Sequence, residues 1–137
     1  MGELGIVLVV DSSIDGYARA ARLIPDAWTS LWAPTPSTIA RWKSFLSPPP
    51  VALVMRLDRW TDDCVARLCA VQAEFRGPVV VQLGVLDPSA VAQLHALGVR
   101  KVLPMLCSPS TMESALIDGT WEYAPQQAPS LPMQLAV

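Results

Sequence analysis

The feature that most constrains this chain is a repeated alternation: short apolar runs, each followed by a turn and a helical segment opened by a capping residue. Three openings share one grammar, Thr35-Pro36-Ser37, Asp87-Pro88-Ser89 and Ser108-Pro109-Ser110. In each, a side-chain oxygen can accept from first-turn amides, and a proline sits where the helix needs no amide donor. The runs 6–10, 51–55, 78–83 and 102–106 lack the polar alternation of a half-exposed strand. Each is therefore predicted to be a parallel strand covered on both faces. Residues 27–32 mix apolar and polar side chains and read as an edge strand. Five strand–helix units with right-handed crossovers give an α/β fold, a three-layer α/β/α sandwich.

The helices fall between these runs. Residues 16–24 form the first, stopped by Pro25-Asp26. Ile39, Trp42, Phe45 and Leu46 mark the second, ended by Pro48-Pro49-Pro50. Thr61 is placed as cap of the third, with Asp62 and Asp63 at its positive end. Its apolar face is read as Val65, Leu68, Cys69, Gln72 and Phe75. Val91, Leu94 and Leu97 mark the fourth, closed by Gly98, and the fifth ends near Gly119. Pro104 has no amide hydrogen and suits only a rim strand; with the mixed strand 27–32 at the other rim, this fits a five-stranded parallel sheet of order 2-1-3-4-5. A domain over residues 1–119 is expected, followed by a Pro- and Gln-containing tail or linker over 120–137.

With 137 residues, 52% of them apolar and 16% charged, the chain can bury a core and is not a disordered segment. A formal charge of -2 gives no basic footprint for direct nucleic-acid binding. No apolar run reaches the ~20 residues of a membrane span, and no secretory signal opens the chain, so a cytoplasmic location is expected. Cys64, Cys69 and Cys107 have no metal-ligand spacing and read as reduced core thiols. His95 reads as a helix-surface residue. No metal or other cofactor is expected.

The sequence Val9-Val10-Asp11-Ser12-Ser13 at the end of the first strand, followed by four more strand–helix units, resembles the receiver (CheY-like) domain of two-component response regulators. That resemblance implies a site beyond the carboxyl ends of the strands. It would hold two acidic residues after strand one for Mg²⁺, an aspartate after strand three as phosphoryl acceptor, a hydroxyl after strand four and a lysine after strand five. On those positions this chain carries Asp11, Ser12, Arg56, Leu83 and Met105. Only Asp11 fits, which makes this a degenerate, pseudo-receiver type. Asp58, two residues past Arg56, reads as a solvated loop carboxylate. Arg56 either pairs with Asp11, its guanidinium standing where a metal would, or points to solvent; the pair is favoured.

The expected function is a non-catalytic, phosphorylation-independent signalling domain. It would act by homodimerisation or by docking a protein partner, and would regulate a transcriptional output domain. By resemblance, self-association would use the last helix, strand and helix, with Leu94, Val99, Arg100, Lys101, Met112 and Leu116 as contacts. Trp60 and Trp121 are further surface candidates. The alternative is a small-ligand sensor, for an anion or nucleotide, using Arg56 and Arg59 and drawing on Arg100 or Lys101. The segment Asp11-Ser12-Ser13-Ile14-Asp15-Gly16 matches no phosphate-loop pattern. An enzyme using Asp11 and Asp58 is disfavoured, since no nucleophile or base is set beside them.

Overall fold

The computed structural model describes residues 3–127, of which 119–127 are described as backbone alone. Ten elements alternate: β1 (Gly5–Val10), α1 (Ile14–Leu23), β2 (Trp28–Trp32), α2 (Pro36–Phe45), β3 (Ala52–Leu57), α3 (Asp62–Glu74), β4 (Val79–Leu83), α4 (Pro88–Ala96), β5 (Lys101–Pro104) and α5 (Pro109–Gln127). The strands form one parallel sheet of order β2-β1-β3-β4-β5, as expected.

The period of two sorts each strand's side chains between two cores. Leu8, Leu53, Met55, Val81 and Leu83 face the layer with Ile39 of α2, Leu68 of α3 and Leu94 of α4. Val7, Val9, Val54 and Val80 face the layer with Ala20 of α1 and Met112 and Leu116 of α5. Capping follows the sequence in α2, α4 and α5, while α1 starts at Ile14, earlier than read, with Ser13 as its cap. The Ser13 Oγ accepts from the Asp15 amide at 3.1 Å, Thr35 Oγ1 from Thr38 at 3.3 Å, Asp87 Oδ1 from Ser89 at 3.1 Å, and Ser108 Oγ from Thr111 at 3.1 Å. Thr61 occupies the cap position of α3, but its side chain makes no capping bond; its hydroxyl lies 3.4 Å from Cys64 Sγ instead.

Several expectations need correction. The surface of Leu94, Val99, Met112 and Leu116 does not exist as such: all four are buried, at 0–1% exposure. Helices α4 and α5 turn Leu94, Met112 and Leu116 inward, as amphipathic helices over a sheet do, and Val99 is buried in the connection from α4 to β5. Only Arg100, exposed, and Lys101, half-buried, remain accessible from that set. On α3 the buried face is Cys64, Leu68 and Val71, while Cys69 is exposed. On α2, Phe45 is 79% exposed, because six residues beyond Ile39 is about two-thirds of a turn off its face. Helix α5 passes through Gly119 to Gln127, since one glycine weakens a helix interior by only about 1 kcal/mol. The helix therefore ends later than read; residues 128–137 and the Trp121 side chain lie outside what is described.

Both rims of the sheet are modified. The β5 strand has four residues and ends in Pro104. On β2, the Tyr17 hydroxyl donates to the Ser30 carbonyl at 3.0 Å.

Candidate functional site

The strands all point the same way, so the loops after β1, β3, β4 and β5 gather at one mouth. Register places Val10 beside Met55, so Asp11 and Arg56, the next residue of each strand, stand side by side. Strand β3 continues to Leu57, two residues further than the apolar run indicates, which makes Arg56 a strand residue. It is tolerated there because its charge is met. The Arg56 side chain is 8% exposed and that of Asp11 18%, and Arg56 Nε lies 3.7 Å from Asp11 Oδ2. This is a charge contact and not a hydrogen bond, since Nε has no hydrogen-bond partner. The other two guanidinium nitrogens are engaged: Nη1 donates to the Gly16 carbonyl, and Nη2 to Met105 Sδ at 2.8 Å.

Three local features hold Asp11. Its Oδ1 accepts from the Ser13 amide at 2.8 Å. Its backbone carbonyl accepts from Trp32 Nε1 at 2.7 Å. Gly16 lets the first turn of α1 close over the carboxylate, as a Cβ built there would sit 2.1 Å from Oδ2.

Of the residues expected at the mouth, the structure brings together Asp11, Arg56 and Met105. Ser12 is exposed on the turn after β1, and Asp58 is exposed on the loop after β3, as read. Leu83 is a correction. It is fully buried in the α2–α4 layer, on the opposite face of the sheet from Arg56. The register partner of Arg56 is Gln82, on the same face. A one-residue shift along a strand changes the side of the sheet, and β4, apolar on both sides, carries no alternation to fix it. The signal was Gln82 itself, the one polar residue in an otherwise apolar strand.

Gln82 is fully buried. Its Nε2 lies 3.4 Å from the Pro104 carbonyl and 3.8 Å from Cys107 Sγ, while Oε1 has no partner. Burial pushes the Cys107 thiol up from its ordinary value, with the Gln82 contact and the Arg56 charge acting the other way. The Arg59 and Trp60 pair lies further out, with Trp60 Nε1 donating to Gln93 Oε1 at 2.8 Å. His95 is exposed, its Nδ1 2.8 Å from the Val99 carbonyl. Lys101 starts β5 and Arg100 immediately precedes it, so they sit at the far end of the sheet and cannot join Arg56 in one anion site.

The donor set does not fit a Mg²⁺ ion. Such an ion takes oxygen ligands, and here a guanidinium faces the Asp11 carboxylate. Among the described residues, no three His, Cys, Asp or Glu side chains come together as a metal set.

No sequence family matches the chain, and no curated protein does. Solved structures do. A pilus assembly-related protein from Burkholderia pseudomallei superposes with a TM-score of 0.72 at 17% identity, over 90% of this chain and 95% of that one. The pilus assembly protein CpaE of Caulobacter crescentus gives 0.64 at 14% identity, over 86% and 92%. The chemotaxis protein CheY4 of Vibrio cholerae gives 0.65 at 17%, over 83% and 97%. The chain thus has the CheY-like receiver fold.

Proposed function

We propose that this domain is a phosphorylation-independent signalling module of receiver type, working by protein docking or self-association and controlling an output partner. The observation that carries the reading is the Arg56 side chain. It supplies a fixed positive charge to Asp11, at the strand position where a receiver carries its acceptor carboxylate. A guanidinium is not a phosphoryl acceptor, and Met105 stands where a receiver's lysine would neutralise a phosphoryl group. Control then comes from binding and assembly.

Two readings of the output differ in their support. Regulation of transcription rests on analogy with response regulators. A role in an assembly apparatus has the likeness to the two pilus assembly proteins behind it. A small-ligand sensor at the mouth is less favoured, because the Arg56 nitrogens are already turned to Asp11, Gly16 and Met105.

The test is incubation with acetyl phosphate and Mg²⁺ followed by intact-mass measurement. An unchanged mass is expected. A phosphoryl group on Asp58 or Asp11 would overturn the reading. Light scattering over a concentration series then separates self-association from docking of a different protein.

A further inference from the structure

We propose that the end of the sheet opposite the mouth carries a binding site for a small organic phosphate. A cavity of about 280 Å³ opens there, between the turn that joins α3 to β4 and the turn that joins α4 to β5. Arg76, Arg100 and Lys101 line it, and no carboxylate does. Its remaining wall includes Phe75 and Val80, 6% and 1% exposed, and the amide-bearing Gln72. The site is thus cationic at the rim and apolar at the floor, in a protein whose formal charge is -2.

Local structure assembles these groups. Gly98 adopts φ +94, a conformation other residues rarely take, and this turns the chain from α4 so that Arg100 and Lys101 arrive on the cavity wall. Gln72 Nε2 donates to the Leu97 carbonyl at 2.8 Å and ties α3 to that same turn. Arg76 follows the end of α3 and approaches from the other side. Lys101 Nζ also lies 3.7 Å from Asp118 Oδ2, but that carboxylate is 55% exposed, and such a pair is weak and open to competition.

The chemistry selects the ligand class. A phosphate monoester carries about -1.5 to -2 charge at neutral pH and three acceptor oxygens, which suits two guanidinium forks and an ammonium. The volume lies near the lower end of ligand cavities, so the body is small, and the apolar floor favours a ring or short carbon chain over inorganic phosphate. A nucleic-acid strand would need an extended basic track, which a compact cleft does not supply. The site is distant from Asp11 and Arg56 and stands apart from the proposed signalling function.

The experiment is a titration of the intact ¹⁵N-labelled chain with phenyl phosphate, followed by amide chemical shifts. Saturable shifts are expected at Gly77, Gly98, Arg100 and Lys101, weakening as salt is raised. The Arg76→Gln/Arg100→Gln double variant should bind at least about tenfold more weakly, the loss expected for charge-assisted bonds. Thermal melting checks that this variant folds; where it does not, Lys101→Gln alone must weaken binding severalfold. Absence of saturation, shifts centred on Asp11 and Arg56, or unimpaired variants would overturn the site. Equal affinity for inorganic phosphate would overturn the role assigned to the Phe75 and Val80 floor.

Discussion

Arg56 is a permanent cation in a nearly closed position, and its neighbours determine what its removal does. Arg56→Ala leaves the Asp11 carboxylate without its counter-charge and also opens a gap beside Met105. Breaking a fully buried pair from one side costs about 3–5 kcal/mol; Asp11 keeps 18% exposure, so roughly 2–3 kcal/mol is expected in urea unfolding. Asp11→Asn should be milder, and a double-mutant cycle should show the two residues coupled by more than ~0.5 kcal/mol. Additive effects would mean that the contact contributes nothing. Gly16→Ala tests the same spot from the helix. The substitution gains ~1 kcal/mol of helix propensity, yet its methyl group would occupy the space of the Asp11 carboxylate. Net destabilisation of about 1–2 kcal/mol is expected, checked by thermal melting.

At the scale of elements, the alternation of apolar runs and capped openings was enough for the element types, and the rim proline Pro104 fitted the sheet order found. The faces were not equally legible. A strand covered on both sides carries no polar alternation, and so Leu83 was read at the mouth where Gln82 stands. Likewise an apolar residue on a helix looks the same whether it faces a partner or the sheet, and Leu94, Val99, Met112 and Leu116 proved to be core. The Asp11–Arg56 pair was legible because each follows an apolar run and their charges are opposite. Adjacent β4 substitutions separate the two faces. Leu83→Ala removes fully buried volume and should cost about 2–5 kcal/mol. Gln82→Leu replaces a buried amide whose oxygen has no partner, and stability should change by less than ~1 kcal/mol or rise. The reverse order in denaturant unfolding would contradict the assigned register.

Across the whole molecule, three thiols sample three depths: Cys69 exposed, Cys107 intermediate and Cys64 buried. Thiolates react, so alkylation followed by mass spectrometry should label Cys69 first, Cys107 only slowly, and Cys64 on unfolding. Raising the pH should speed Cys107 late, because burial holds its thiol above the ordinary value. The sign for stability follows. The folded state keeps this proton more tightly than the unfolded chain, so its contribution is intact below the ordinary thiol value and declines as pH climbs through the raised one. Equal labelling rates at Cys69 and Cys107 would contradict the packing around Gln82. The rims of the sheet bear on how copies of this protein can meet. A four-residue margin closed by an imino acid, and an opposite margin where a phenol occupies a main-chain acceptor, offer poor templates for an incoming extended segment. Polymer growth by β-addition is thereby discouraged, and assembly is left to the helical layers and the loops.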